Sequence, residues 1–346
     1  TYEESVGLYD PTTGSFSTVD VSAVIGNPAY YYQGAALTNS GLVVFAPYKG
    51  STVGVFEPAS RSFSAVDISA IESANNKYVG AAASADGTLV VFAPAKAPSV
   101  GVFNATSRTF TAVGISSSAG GRLFCGATRA LDGLIVFAPM RENVVGLFDP
   151  LTLNYSTVDV SATIATADKY WGAATTPSGL VVFAPWKAPN VGIFDPESGS
   201  FEVVDIEAIA PPLRQHGRFR GAAASGQGLV VFAPHDCDVI GLFDPETRVF
   251  STVHVGTDYV ELMYAGAATL LDGRVVLAPW NAMALGVFTV VGPPPALPPP
   301  ALPPSPPNWL STVDVSNATG TDTGKYCDPV VTNDGLCEAM IPTPAP

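Results

Sequence analysis

The sequence is poor in charged residues and has no long apolar segment. Charged residues make up 13 % of the 346 positions, and 30 acidic against 16 basic side chains give a net charge of −14. A negative charge of this size argues against nucleic acid as a partner. The longest apolar runs, such as LVVFAP, are about six residues, far below the ~20 that a membrane-spanning helix needs, so no membrane insertion is expected. No charged-then-apolar leader opens the chain, so a secreted form is expected to have lost its leader.

Cysteine and histidine are also scarce, with four and three residues. None of the cysteines (Cys125, Cys237, Cys327 and Cys337) forms a CxxC pair, and the histidines do not complete a zinc motif, so neither a metal nor a cofactor is expected. Cys327 and Cys337 are close in sequence and are predicted to form a disulfide in the last part of the fold. A regular pair of strands would hold them near opposite ends, which counts against this pairing.

Glycine (33) and proline (31) are abundant, and they belong to an internal repeat. GLVVFAP occurs at 41–47, 179–185 and 228–234, with close variants between these copies. A second phrase, VGxF and its variants, has glycines at positions 7, 54, 101, 146, 192, 241 and 286, which are 45 to 49 residues apart. A period in the forties made of four short strand-like phrases is typical of a propeller blade.

Each phrase of the repeat predicts a different strand of the blade. Gly-Ala-Ala suits the innermost strand, where blades crowd the axis. LVVFAP is a continuous apolar run, as expected for a strand buried on both faces. VGVF supplies the third strand, and FSTVD alternates polar and apolar residues as a half-solvated outer strand does.

The two ends of the chain complement each other. Residues 5–20 supply only a third and a fourth strand, and the tail 325–346 aligns with the first and second strands of 77–98. We therefore predict one all-β domain over residues 1–346: a seven-bladed β-propeller with four-stranded blades, closed because the N- and C-terminal strands share the seventh blade. The alternative is that the tail of one molecule pairs with the head of the next, which gives a chain of subunits.

A proline-rich segment, 292–307, interrupts blade six and predicts a polyproline II insertion. It is either an inert spacer or a hydroxylated and O-glycosylated tract. The sequence also has three N-x-S/T sequons, at Asn104, Asn154 and Asn317, of which Asn104 lies on a predicted exposed loop. The prolines predicted to carry O-glycans as hydroxyproline are Pro293, Pro294, Pro295, Pro298, Pro299, Pro300, Pro303, Pro304, Pro306 and Pro307.

These motifs resemble those of known groups of proteins. The repeat KYxGAA…VVFAP…VGVFDP…FxxVDIS resembles secreted repeat proteins of algae, and the proline tract resembles hydroxyproline-rich segments of algal wall and flagellar-hair glycoproteins. More distantly, the blades are similar to seven-bladed propellers of the streptogramin-lyase and NHL type. That resemblance implies a catalytic histidine in a metal-dependent site, but none of the three histidines lies in a matching motif.

The loops on one face of the predicted propeller collect aromatic and basic residues. One interpretation is that the basic residues pair with the Asp of the VD phrase (Asp20, Asp67, Asp159, Asp205 and Asp314). The other is a glycan-binding face that stacks sugar rings and pairs with acidic groups, in which Trp186 and Trp280 either face the sugar or pack between blades. The residues predicted for this face are Tyr48, Lys49, Lys96, Arg141, Trp186, Lys187 and Trp280.

The repeat argues against catalysis, because its acidic residues recur in every blade, whereas a catalytic site must break the symmetry. Only His235–Asp238, Arg214–His216 and Asp258–Tyr259 break it, and we expect no enzyme. The first prediction is an extracellular structural glycoprotein, a subunit of a fibre, a cell wall or a flagellar hair, with itself or glycans as partner. The alternatives are a soluble lectin-like binder and, third, a propeller lyase or hydrolase.

Overall fold

A computed structural model describes residues 5–25, 31–116, 121–256, 260–290, 309–314, 327–333 and 335–340. All strands in these ranges pair antiparallel, in seven sheets of four strands each. The prediction of an all-β propeller with four-stranded antiparallel blades is confirmed. One short helix, α1 (Ser22–Ile25), follows the second strand, and no helix within the described ranges is long and apolar enough to span a bilayer.

Six sheets use four consecutive strands, ordered from the axis outward, and we number them blades 1 to 6. Blade 1 has β3 (Tyr32–Leu37), β4 (Val43–Pro47), β5 (Thr52–Glu57) and β6 (Ser62–Asp67), and blade 2 has β7 (Tyr78–Ala83), β8 (Leu89–Pro94), β9 (Ser99–Asn104) and β10 (Thr109–Gly114). Blade 3 has β11 (Phe124–Arg129), β12 (Ile135–Pro139), β13 (Val144–Asp149) and β14 (Asn154–Asp159), and blade 4 has β15 (Tyr170–Thr175), β16 (Val181–Pro185), β17 (Asn190–Asp195) and β18 (Ser200–Asp205). Blade 5 has β19 (Phe219–Ala224), β20 (Val230–Pro234), β21 (Val239–Asp244) and β22 (Val249–His254), and blade 6 has β23 (Tyr264–Thr269), β24 (Val275–Pro279), β25 (Ala284–Thr289) and β26 (Trp309–Asp314).

The remaining sheet, which we call the composite sheet, joins the two ends of the chain. It contains β1 (Ser5–Asp10), β2 (Ser15–Asp20), β27 (Cys327–Val331) and β28 (Cys337–Met340) in the order β2-β1-β28-β27. Val6 lies opposite Met340 and Tyr9 opposite Cys337. The innermost strand β27 contacts both β23 and β3, which places the composite sheet between blades 6 and 1.

The core of the protein lies between neighbouring blades. The second strands are buried throughout, as in Val181–Pro185, whereas the outer strand Ser200–Asp205 alternates exposed and half-buried residues. In blades 1 to 6, an aromatic residue that begins the inner strand packs over the glycine of the third strand: a Cβ atom on Gly192 would lie 2.8 Å from Cζ of Tyr170. This contact explains why VGxF keeps its glycine.

A β-bulge in each inner strand brings the blades together at the axis. In blade 2 the register shifts between Tyr78, opposite Pro94, and Ala81, opposite Phe92, and blades 1, 3, 4, 5 and 6 have the same shift. The bulge glycines of neighbouring blades touch, so the channel along the axis is narrow, with a cavity of about 100 Å³ lined mainly by glycine and alanine.

The predicted Cys327–Cys337 disulfide is wrong, because the register separates the two residues. Cys337 lies opposite Val331, whereas Cys327 lies opposite Met340, at the other end of the strand pair. Four residues of strand span about 13 Å, and a disulfide needs Cα atoms roughly 4.4–6.8 Å apart.

Two of the three sequons lie in the described part of the chain. Asn154 is exposed at the start of β14, and Asn104 is half-buried at the end of β9. The side-chain oxygen of Asn104 accepts hydrogen bonds from the N–H groups of Thr106 (3.0 Å) and Ser107 (2.9 Å), which leaves its amide nitrogen outside these bonds. Asn317 and the proline-rich segment 292–307 lie outside the described residues.

Candidate functional site

Two sets of side chains meet where the axis channel opens on the face made by the loops after the second strands. One set follows the Ala-Pro that ends each second strand. The other set precedes each bulge glycine of the inner strands, and its members differ from blade to blade: Gln33, Val79, Cys125, Trp171, Arg220 and Ala265. Because the bulges surround the axis, the second set gathers at the channel opening.

The resulting inner cavity has a volume of about 350 Å³. This is within the range of small-molecule sites, roughly 300–1,000 Å³. Its walls are mostly aromatic and basic, and the residues that line it are Gln33, Tyr48, Lys49, Asn76, Arg122, Trp171, Trp186, His216, Arg220, His235, Leu262 and Trp280.

Alternating aromatic rings and guanidinium groups cross the opening, and we call them the cation–π ladder. Arg122 lies 5.6 Å from the ring centre of Tyr48 and 4.9 Å from that of Trp171. Arg220 lies 4.4 Å from the ring of Trp171 and 4.6 Å from that of Trp280. The five members of the ladder come from blades 1, 3, 4, 5 and 6, or from the loops next to them. Each such contact stabilises the arrangement by roughly 0.5–2 kcal/mol.

His235 closes the aromatic wall. Its ring centre is 5.0 Å from that of Trp186 and 6.4 Å from that of Trp280. Nδ1 lies 2.6 Å from the carbonyl oxygen of Tyr264. Burial lowers the pKa of His235 well below its ordinary value, and the positive charge of Arg220 lowers it further. The imidazole is therefore neutral, Nδ1 donates to the carbonyl, and Nε2 is a hydrogen-bond acceptor.

The buried neutral histidine predicts a pH dependence of stability. Below pH 6.5, the ordinary pKa of the side chain, the unfolded chain takes up a proton that the folded protein does not. The free energy of unfolding should therefore fall by up to about 1.4 kcal/mol per pH unit as the pH decreases from 6.5 to 5. His235→Asn keeps a donor for Tyr264 but does not titrate, so urea unfolding of this variant should lack that loss. Equal slopes for the two proteins would contradict the assignment.

Some residues that line the inner cavity have buried polar atoms with no hydrogen-bond partner among the described residues, namely Nε1 of Trp171, Oε1 of Gln33 and Oδ1 of Asn76. Trp171 and Gln33 are each only 4 % exposed. Buried polar atoms are rarely left unsatisfied, so these atoms favour internal water molecules in the wall of the cavity.

A second cavity, which we call the outer cavity, adjoins the inner one and also has a volume of about 350 Å³. Asp168 is the only carboxylate among its lining residues, and it accepts from Nε of Arg141 at 2.9 Å and lies 3.9 Å from Nζ of Lys187. The two cavities share Asn76, Arg122, Trp171, Trp186 and His216. The other residues that line the outer cavity are Lys96, Gly121, Met140, Arg141, Asp168, Lys187 and Gln215.

The structure brings together all seven residues that the sequence predicted for a glycan-binding face. Tyr48, Lys49 and Trp280 line the inner cavity, Lys96, Arg141 and Lys187 line the outer one, and Trp186 lines both. The two indoles are not an open platform, because Trp186 and Trp280 are 8 % and 7 % exposed and pack against His235. Their role in binding stays a prediction.

The alternative interpretation, in which basic residues pair with the Asp of the VD phrase, does not hold for Lys77 and Lys169. Nζ of Lys77 donates to the carbonyl oxygen of Gly50 at 2.7 Å, and Nζ of Lys169 donates to that of Thr166 at 2.7 Å. Four of the VD aspartates accept the N–H two residues further on, namely Asp20, Asp67, Asp159 and Asp205.

Sequence reasoning missed Trp171 and did not select Arg220, Arg122 or Gln33 for the site. A signal was present, because the position before the inner glycine varies in every blade while the Gly-Ala after it repeats. In a repeat protein, such a variable position beside an invariant one indicates a place where side chains from different blades meet.

Comparisons with known proteins agree with the fold. No protein-family model and no curated protein matches the chain. It is similar to the structure of a streptogramin B lyase (13 % identity, TM-score 0.71, covering 97 % of this chain and 98 % of that one). It is also similar to a catalytically inactive variant of virginiamycin B lyase from Staphylococcus aureus with quinupristin (12 %, TM-score 0.67, 90 % and 94 %) and to the mitotic checkpoint complex (14 %, TM-score 0.62, 94 % and 91 %). At these identities the likeness shows the propeller fold alone.

Proposed function

We propose that this propeller binds an acidic glycan in the cavities at the opening of its axis. The observation that carries the proposal is the composition of the site: three tryptophans, two of them in contact with arginines in the cation–π ladder, in cavities lined by basic side chains. The guanidinium and ammonium groups suit the acidic groups of such a ligand, and the edges of the indoles supply apolar contact at the cavity wall.

The charge of the site supports an acidic ligand. Six basic side chains line the two cavities, and Asp168 is the single carboxylate among their lining residues. This local excess of positive charge occurs in a chain with a net charge of −14. Guanidinium and ammonium groups gathered in this way favour carboxylate or sulfate groups.

A glycan array tests the proposal. On an array of neutral, uronate-bearing and sulfated oligosaccharides, the protein should bind the acidic members, and Trp186→Ala combined with Trp280→Ala should weaken binding by roughly 10-fold or more, about 1.4 kcal/mol. Arg108→Ala, which removes an exposed cation next to β10, is the matched control and should leave binding unchanged. An array with no acidic hit, or equal binding by the double variant, would refute the proposal.

A second candidate function is the extracellular structural glycoprotein that the sequence suggested. The accessible sequon at Asn154 supports it, as does the proline-rich composition of 292–307. In this role the composite sheet acts as the seventh blade and closes the ring within one molecule, which its contacts with β3 and β23 support. Mass spectrometry of the native protein should then find hydroxyproline and sugars on 292–307 and a glycan on Asn154, and electron microscopy should find fibres. An unmodified monomer would exclude this role.

A lyase or hydrolase is the third candidate, and the likeness to streptogramin B lyase is its support. His235 would be the residue to test, because its neutral imidazole lines the inner cavity. Within the described ranges, no group of three or more His, Cys, Asp or Glu side chains is arranged to hold a metal ion.

A further inference from the structure

We infer that the two cavities are two subsites, each for one acidic sugar, so that the ligand is a run of at least two consecutive acidic sugars. This inference deepens the proposed function and rests on it. It starts from two adjoining cavities of about 350 Å³ each, with different walls.

The inner subsite is built to hold a ring. Trp171 and Trp280 flank the guanidinium of Arg220, which is itself 4 % exposed. Tyr48, Lys49 and Asn76 line the same cavity and supply polar groups for sugar hydroxyls. A sugar in this cavity places its acidic group near Arg220.

The outer subsite is built to hold an anion. Lys96 and Arg141 are exposed, Lys187 is partly exposed, and among the residues that line this cavity only Asp168 offsets their charge. Its aromatic rings, those of Trp171, Trp186 and His216, are all shared with the inner subsite. The outer subsite therefore recognises a charged group more than a sugar face.

Asp168 sets the strength of the outer subsite. Its carboxylate holds Arg141 and Lys187 together at 2.9 and 3.9 Å. It keeps both cations at the cavity, yet it competes with an incoming carboxylate or sulfate for them. Removal of its charge should strengthen binding of the second acidic sugar.

The shared residues place the two subsites next to each other. Asn76, Arg122 and Trp186 belong to both walls, so one ligand lying over this edge has a group in each cavity. Linking two groups that occupy neighbouring subsites raises affinity beyond that of either group, because the second binding step becomes intramolecular.

Calorimetry with galacturonic acid, digalacturonate and tetragalacturonate tests the inference on the full chain. Digalacturonate should bind at least about 10-fold more tightly than galacturonic acid, with little further gain for the tetramer. Lys96→Ala combined with Lys187→Ala should reduce the affinity of digalacturonate to that of the monomer, because only the inner subsite then holds an acidic group. Asp168→Asn should raise the affinity of digalacturonate about 3- to 10-fold.

The outcomes separate this inference from the proposed function. Equal affinities of monomer and dimer, or an equal loss for both in the lysine variant, overturn the two subsites and leave an acidic glycan site standing. No binding of any of the three, in a protein that binds sulfated glycans on the array, overturns the inference for uronates. No binding of any acidic glycan overturns both.

Discussion

Gly80→Ala should destabilise the protein by roughly 2–5 kcal/mol, a large loss for a single added methyl group. Gly80 has φ +96°, a conformation that disfavours any L side chain, and a Cβ atom there would lie 2.6 Å from Cα of Gly126 in the next blade. The atoms that the added Cβ would meet, in Gly126 and Ala127, belong to the backbone. No change of side-chain rotamer therefore relieves the overlap. Blades 2 and 3 would have to separate at the axis. Urea unfolding followed by circular dichroism measures the loss.

Gly133→Ala is the matched control for this prediction. Gly133 has nearly the same φ, +95°, but no other atom lies within 4 Å of its added Cβ. Gly133→Ala should lower the free energy of unfolding only by the backbone strain, about 1–2 kcal/mol. The difference between the two variants isolates the contact between blades, and equal losses would show that the inner strands are not close-packed at the bulge.

Arg220→Met should weaken binding of acidic oligosaccharides about 30- to 100-fold, or 2–3 kcal/mol. The substitution removes the cation between Trp171 and Trp280 but keeps an unbranched, flexible side chain. Its effect on neutral oligosaccharides should be smaller, and the remaining binding should depend less on salt because one charge contact is lost. Calorimetry at two ionic strengths measures both effects. The variant should fold, because an apolar residue in place of a buried charge is often neutral or stabilising.

Arg122→Met is the internal comparison for the second prediction. Arg122 also contacts Trp171, but it is partly exposed, and its Nη2 donates to the hydroxyl of Tyr48 at 2.5 Å. Its loss should cost about 3- to 10-fold in affinity, since solvent screens a partly exposed cation. Equal losses of affinity in the two variants would show that the burial of Arg220 does not strengthen binding in the inner subsite.

The repeat made the fold predictable from local patterns. Each phrase of the repeat has its own hydrophobic pattern and its own degree of burial. The same phrase therefore forms the same strand in each of the repeated blades. VVFAP is buried wherever it occurs, and the Ser/Thr-containing strands lie outside. The complementary ends predicted that β1 and β28 pair, which the register shows. The predicted cysteine pair was wrong because it rested on proximity in sequence, whereas strand register decides which residues face each other.

The candidate site depended on tertiary structure for a physical reason. The sequence by itself determined the strands, their order within a blade and the face on which basic and aromatic residues collect, because these follow from periodicity along the chain. It did not determine that Tyr48, Arg122, Trp171, Arg220 and Trp280 stack on one another, since these positions are 49 or more residues apart. Only closure around the axis brings them into contact, and the bulge at each inner glycine aims the preceding side chain at that meeting point.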